Sequence, residues 1–171
     1  MMTLPTEEWL DLVNEKDEVI GKMLRAEVRV HGLKNIRAST AFIKNSKGQL
    51  WIPRRVASKA SSPLKLDGSV MGLVMSGETY DEAFARETME ETGIDINKVS
   101  WRRLGKMTPH QHGTACFQTC YEILSDATPN YNPDDFCEYF WLTPAEILER
   151  LQKGDKSKSD LPKIIKFIYG V

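Results

Sequence analysis

The chain has 171 residues, 41% of them hydrophobic and 27% charged, which is typical of one globular domain with a sizeable core, here expected over residues 1–171. Its net charge of −1 lacks the basic surplus of most nucleic-acid-binding proteins, so we expect a small molecule and not nucleic acid as its partner. No apolar run is long enough for a membrane span, and the acidic residues Glu7, Glu8 and Asp11 do not fit a signal peptide, so we expect a cytoplasmic protein that does not contact a membrane.

The N-terminal segment, residues 1–34, precedes the main pattern of strands. In it, the apolar pairs Leu12-Val13 and Val19-Ile20 flank a polar stretch at 14–17. Two short apolar stretches around a polar turn are typical of a β-hairpin. The sequence therefore predicts a small hairpin in this segment.

A pair of strands and a loop are predicted next. Residues 37–44 alternate as a strand, a turn follows at 45–48, and 49–55 form the returning strand. The stretch 57–68 is rich in Ser, Lys and Pro and predicts a loop.

Three basic residues follow the second strand of this pair. Arg54, Arg55 and Lys59 are candidates for holding an anionic substrate, because an arginine fork matches phosphate oxygens. Successive residues of a strand point to opposite faces, so at most one of the two arginines faces a site directly. The alternative for each is a surface charge at a strand end.

The next segment carries the strongest motif of the chain. It reads Gly72-x5-Glu78-x7-Arg86-Glu87-x2-Glu90-Glu91-x-Gly93. Thr79 and Glu82 have the spacing of a capping box, which starts a helix, and the glycine at 93 is the stop expected just past a helix end. The sequence therefore predicts a helix over residues 80–92.

Three acidic residues share one face of this helix. Glu87 lies three residues before Glu90 and four before Glu91. Clustered carboxylates repel one another unless a cation lies among them, and oxygen-only ligands suit Mg²⁺, or alternatively Mn²⁺, bound to substrate phosphates. We expect Arg86 to neutralise and orient the carboxylates. A plain solvated acidic face is the alternative, and the fixed glycine and arginine positions argue against it.

The remaining sequence predicts three strands and two helices. The strands are expected over 99–106, 114–124 and 136–141, and a helix over 144–152 starts with a second capping box. Apolar residues at 164, 165, 167 and 168 predict an amphipathic closing helix. Strands interspersed with a few helices indicate an α/β (α+β) fold, with a mixed sheet and helices on both faces.

The motif at 72–93 resembles the Nudix box. This resemblance implies the Nudix fold, a mixed β-sheet sandwiched between α-helices, and Mg²⁺-dependent hydrolysis of a nucleoside diphosphate linked to another moiety. It implies that Glu87, Glu90 and Glu91 bind the metal ion, with the latter two also candidates for catalysis, and that Glu78 pairs with Arg86. A departure is the threonine at 88, where the family prefers a bulky aliphatic residue. We expect its hydroxyl to bond to the carbonyl four residues back.

A wider similarity covers about half the chain, from Val13 to Gly93. This stretch resembles the branch of the family that includes type I isopentenyl-diphosphate isomerase. Those isomerases need a cysteine where this chain has Met71, and they use histidines near the strand that here starts at Arg37, where the equivalent residue is Ile36. A thioether cannot deliver a proton as a thiol does. The resemblance therefore favours a hydrolase and leaves an isomerase as the alternative.

Further candidates lie outside the motif. Some Nudix enzymes draw a general base or an extra metal ligand from another segment, and Glu138 is our first candidate for it, ahead of Glu122. Either residue is otherwise an ordinary strand carboxylate. His110 and His112 flank a predicted turn, and two histidines need a third ligand to bind metal. Contact with the substrate or proton transfer is a second interpretation, and a plain solvated loop is the third.

A third interpretation of the motif involves no catalysis. A catalytically silent diphosphate-binding module is a third reading, against which the complete set of acidic motif residues argues. The sequence does not identify the diphosphate substrate, the general base, the number of metal ions or the oligomeric state, for which a homodimer is one possibility.

Overall fold

A computed structural model describes residues 7–171. The strands are β1 (Trp9–Val13), β2 (Val19–Leu24), β3 (Arg37–Lys44), β4 (Leu50–Arg55), β5 (Val70–Leu73), β6 (Ser100–Met107), β7 (Phe117–Leu124) and β8 (Phe136–Leu142). The α-helices are α1 (Arg25–His31), α2 (Tyr80–Thr92), α3 (Pro109–His112), α4 (Pro144–Gln152) and α5 (Asp160–Tyr169). None of the helices in this part of the chain has the length and apolarity needed to cross a membrane.

The central sheet is mixed, as predicted. Its strand order is β6-β7-β3-β4-β8, and β5 pairs with β3 beside β4. β3 and β7 run parallel, while the other pairs are antiparallel. β1 and β2 form the predicted hairpin as a separate two-stranded sheet.

Both faces of the sheet are covered by helices, because its strands alternate apolar residues to the two sides. Phe42 packs on the side of α4 and α5, where it meets Ile147 and Ile164. Its neighbour Ile43 packs on the opposite side, in the cluster that contains Phe84 of α2. The predicted fold, a mixed sheet sandwiched between helices, is confirmed.

Most predicted elements occupy their expected residues, and the helices α1 and α3 and the strand β5 were not predicted. The helix over 80–92 has both hydrogen bonds of its capping box. The strand expected from 114 begins only at Phe117, and the turn expected around the two histidines is the short helix α3. The structure adds α1 and β5, neither of which was predicted.

An ion-pair network attaches the hairpin to the rest of the fold. Asp17 lies in the hairpin turn with φ of 62°, and its side chain is only 8% exposed. Its carboxylate accepts hydrogen bonds from Arg37 at 2.7 Å, from the Tyr80 hydroxyl at 2.8 Å and from Lys106. Burial by itself raises the pKa of Asp17, but these bonds outweigh burial, so the pKa lies below its usual value.

Replacing Asp17 by asparagine is expected to lower the free energy of unfolding by about 2 kcal/mol at pH 7, since hydrogen bonds to a charged group contribute about 1.5–3 kcal/mol. The pKa of Asp17 is lower in the folded state than in the unfolded chain. Its contribution is therefore present above the unfolded value near 3.8 and is lost as the pH falls through the lower folded value. Urea unfolding at pH 7 and at pH 3 measures both effects. Asp134→Asn, at an exposed position, is the control, and an equal effect of the two variants would refute the assignment.

Candidate active site

Helix α2 is held with its acidic face against strand β5. Ser39 of β3 donates a hydrogen bond to the carbonyl of Tyr80 at 2.7 Å, which fixes the start of the helix. The ring of Phe84 stacks on Tyr121 with 4.1 Å between ring centroids. At Gly72 of β5 the helix comes so close that a side-chain Cβ would overlap the carboxyl group of Glu87. Any larger residue at this position would displace the Glu87 side chain.

Arg86 lies at the centre of an ion-pair network on this face. Its guanidinium donates to Glu78 at 2.9 and 3.1 Å, as the resemblance implied, and to Glu87 at 2.8 Å. A longer bond of 3.4 Å reaches Glu90, and another of 3.1 Å reaches the carbonyl of Leu73. Arg86 thus neutralises the motif acids and ties the helix to β5.

Glu91 has a different environment. It is partly buried, and its Oε2 accepts a hydrogen bond from the backbone N–H of Met71 at 3.2 Å. Burial, followed by the negative charges of Glu87 and Asp67, raises the pKa of Glu91 to about 9. Burial also raises the pKa of Glu87, although Arg86 opposes that rise. Two carboxyl groups thus lie in a setting that disfavours their ionised forms.

Two further charged residues border the site, and neither was predicted from the sequence. Buried Asp67 bonds to Arg55 at 3.1 Å and lies 3.5 Å from Lys158. The Lys158 Nζ is also 3.1 Å from the Met71 Sδ, beside the backbone group that binds Glu91. Lys158 reaches the site because its backbone N–H bonds to the carbonyl of Leu66 at 2.9 Å, which joins two segments distant in sequence.

The other predicted residues outside the motif contact different groups. Arg54 forms two bonds of 2.9 Å to Asp155 and an ion pair with Glu138, and Lys59 bonds to Asp135 at 2.5 Å. In residues 7–171 none of Arg54, Lys59 and Glu138 bonds to a motif acid, so their predicted roles stay predictions.

The buried Glu122 and the two histidines make internal contacts. Glu122 accepts hydrogen bonds from the Arg102 Nε at 3.1 Å and from the Tyr169 hydroxyl at 2.9 Å. The His112 Nδ1 accepts the Thr108 N–H at 3.0 Å, and the ring of His110 lies 5.8 Å from that of Phe117. Glu122 and His112 thus have internal partners, whereas His110 is exposed, and any functional role of the three stays a prediction.

The buried Thr88 departs from what we expected. Its hydroxyl has no hydrogen-bond partner in the described structure, whereas the Thr92 hydroxyl bonds to the Thr88 carbonyl at 2.6 Å. A bond of the predicted kind, to the carbonyl four residues back, is therefore made by Thr92, and the bond predicted for Thr88 is absent from the described structure.

The fit of a metal ion to this face can be tested on these contacts. Across residues 7–171, no three His, Cys, Asp or Glu side chains stand together as a set of metal ligands. Glu87 and Glu90 instead bond to Arg86, and Glu91 faces β5, so the three acids do not converge as predicted. The donor chemistry nevertheless fits a hard divalent cation, because the face offers carboxylate oxygens and Glu91 lies among like charges that a cation would offset.

Comparison with known proteins gives a consistent result. Residues 34–161 match the NUDIX domain family. A Nudix hydrolase of Deinococcus radiodurans is 46% identical over 164 residues, which cover 96% of this chain and 95% of the relative. An uncharacterized Nudix hydrolase of Nostoc sp. is 48% identical over 162 residues, covering 95% and 96%.

Solved structures agree with the observed fold. The crystal structure of DR0079 from Deinococcus radiodurans has a TM-score of 0.90 and 47% identity, covering 95% of this chain and 99% of its own. A MutT protein from Methanosarcina mazei has a TM-score of 0.61 at 20% identity, covering 78% and 92%, and supports the fold alone.

Proposed function

The chain belongs to the Nudix family and is a Nudix-type pyrophosphohydrolase; from this premise we propose its metal and its substrate class. We propose that it uses Mg²⁺, with Mn²⁺ as a substitute, to cleave the phosphoanhydride bond of a nucleoside diphosphate linked to another moiety, or of a related diphosphate. The observation that carries this proposal is the position of Glu91, which lies against β5 with its Oε2 3.2 Å from the Met71 N–H and has the negative charges of Glu87 and Asp67 nearby. A bound cation would offset the repulsion among these carboxylates.

Three residues of α2 would hold the ion: Glu87, Glu90 and Glu91. To do so, the first two must turn away from Arg86, which now bonds to both. A bound divalent ion would neutralise the diphosphate and lower the pKa of a water molecule. Arg86 would remain bonded to Glu78 and keep the helix aligned on β5.

The general base is proposed to be one of the helix acids. Glu90 is 58% exposed and only weakly bonded, and Glu91 borders the proposed metal position, so either carboxylate can accept a proton from water. Glu138 is paired with Arg54 on the β4–β8 edge. These contacts favour the helix acids over Glu138.

The substrate diphosphate is proposed to contact Lys158. Its ammonium group lies beside Met71 and Asp67, next to Glu91, and such a compact charge suits a phosphate oxygen. Arg55 keeps Asp67 in place through their ion pair and remains a candidate for the same role. The bonds of Arg54 to Asp155 and Glu138 make it a weaker candidate.

Isomerisation is the less favoured alternative. Met71 occupies the position of the isomerase cysteine, and its sulfur lies 3.1 Å from the Lys158 Nζ. A thioether has no proton to give. The relatives that cover most of the chain are hydrolases.

A hydrolysis screen tests the proposal. We expect purified protein with Mg²⁺ or Mn²⁺ to release a monophosphate product from at least one member of a panel of nucleotide sugars, dinucleotides, nucleoside triphosphates and prenyl diphosphates. Excess EDTA should abolish the turnover, and added Mg²⁺ should restore it. Binding without turnover would favour the silent module, and an isomerised prenyl product would favour the alternative enzyme.

A further inference from the structure

A basic cavity lies next to the acidic face of α2. It has a volume of about 360 Å³, and its charged lining consists of Arg25 and Arg29 from α1 and Lys34 from the segment that follows. The apolar part of its lining is formed by Leu10, Val28, Leu33, Ile36 and Leu73. The cavity thus combines a basic rim with an apolar floor, and neither the motif nor the proposed mechanism uses it.

The cavity and the active site share strand β5. Leu73 lines the cavity, and its carbonyl accepts the hydrogen bond from Arg86 at 3.1 Å. The preceding residue, Gly72, abuts Glu87. The cavity and the Glu87 carboxyl group are therefore bordered by adjacent residues of β5.

The three cations of the rim differ in their partners. The Arg25 guanidinium bonds to the Glu8 carboxylate at 2.6 Å, so it already holds an anionic group at this position. In the described part of the chain, Arg29 and Lys34 form no ion pair. Arg25 and Arg29 are four residues apart on α1 and thus lie on the same side of the helix. Three exposed cations around one cavity attract an anion with more than one charge.

We propose that Arg25, Arg29 and Lys34 form a subsite for an additional phosphate group of the substrate, one that is not part of the cleaved linkage. This inference rests on the proposed function, because it places the second phosphate relative to the diphosphate held at α2. A phosphate fits the rim because guanidinium groups bind its oxygens in pairs, and a volume of about 360 Å³ exceeds that of a single phosphate. The preferred substrates are then diphosphates extended by a further phosphate, on the chain or on the linked moiety.

Anion binding tests the subsite apart from catalysis. We compare the double variant Arg29→Gln/Lys34→Gln with the unmodified protein. The control is Lys47→Gln, an exposed lysine in the turn between β3 and β4. Each protein is titrated calorimetrically in EDTA, once with inorganic tripolyphosphate and once with pyrophosphate. We expect the double variant to bind tripolyphosphate about tenfold more weakly, since it lacks two of the three cations proposed to face the anion. Pyrophosphate binding should change less, and the control should match the unmodified protein.

The single variant Glu8→Gln gives an effect of opposite sign. It removes the carboxylate that now occupies Arg25, so we expect tripolyphosphate to bind several-fold more tightly. Weaker or unchanged binding would show that Arg25 does not contact the anion and would overturn its place in the subsite.

Turnover separates this inference from the proposed function. With Mg²⁺, the double variant should raise KM about tenfold for substrates that carry the additional phosphate and leave kcat unchanged. If the unmodified protein hydrolyses a substrate and the double variant shows no change in KM or in tripolyphosphate affinity, the subsite is refuted and the proposed hydrolase function stands. Weaker tripolyphosphate binding in a protein that hydrolyses nothing would support the subsite and refute the function. An equal loss for pyrophosphate would show that these residues bind the diphosphate itself.

Discussion

Replacing Glu91 by glutamine is expected to lower hydrolytic turnover by about 10²–10³-fold, because removing one proposed metal ligand costs several kcal/mol of transition-state stabilisation. Glutamine has nearly the shape of glutamate and can still accept the hydrogen bond from the Met71 backbone. The fold should therefore persist, and the loss should reflect the missing negative charge.

The same substitution is expected to change how stability depends on pH in the metal-free protein. The pKa of Glu91 rises from an ordinary value of 4.5 to about 9 on folding, so between these values the folded chain keeps a proton that the unfolded chain has released. Its contribution to stability is fully present below 4.5 and is lost as the pH rises through 9, with a limiting slope of about 1.4 kcal/mol per pH unit. The glutamine variant lacks this loss and should be the more stable protein at pH 9.

Chemical unfolding in EDTA from pH 5 to pH 9 measures this difference, and the control is Glu149→Gln on the exposed face of α4. Added Mg²⁺ should stabilise the unmodified protein more than the Glu91 variant, because an ion that binds only the folded state shifts the unfolding equilibrium. Full turnover by Glu91→Gln would refute the metal assignment. Parallel pH curves for the two proteins would refute the burial argument separately.

Replacing Gly72 by alanine is expected to reduce turnover by about 10²-fold with little loss of stability. The new methyl group would overlap the carboxyl and Cγ atoms of Glu87, so that side chain must swing away from β5. A flexible side chain can move at small cost to the fold, whereas a displacement of about 1 Å in a catalytic group can cost about 10²-fold in rate. Turnover should therefore fall while the melting temperature changes little.

The matched control is Gly21→Ala in β2, where an added Cβ has no atom within 4 Å. Turnover at saturating Mg²⁺ and the thermal unfolding midpoint are measured for both variants. We expect the control to retain both properties. Normal activity in Gly72→Ala would show that the position of Glu87 against β5 is irrelevant to catalysis. A large fall in the unfolding midpoint would instead show that Gly72 serves mainly the packing.

The sequence was sufficient for elements whose signals are local. The capping box at Thr79 and the glycine after residue 92 give the limits of α2, because both act through hydrogen bonds within a few residues. The alternation of residues 37–44 likewise gives β3. The missed elements lack such signals. Helix α1 has one buried residue, Val28, and no side-chain cap, so its sequence carries no apolar stripe.

Strand β5 shows how tertiary pairing overrides a weak local pattern. It has only four residues, one of them glycine, and it is a strand because residues 70–73 pair with 38–41 of β3. Pairing between segments some thirty residues apart is not visible in a local pattern. Yet this strand supplies the Met71 N–H for Glu91 and the close approach at Gly72.

The sequence by itself determined the family, the mixed sheet between helices and the acids of α2, because spacing along one helix fixes which side chains share a face. The tertiary structure alone decided which charges surround those acids. Lys158 and Asp67 meet near Glu91 through a backbone contact between distant loops, and Arg25 approaches Glu87 from α1. Charges act through space over several ångströms, so their partners depend on how the chain is folded and not on their order along it.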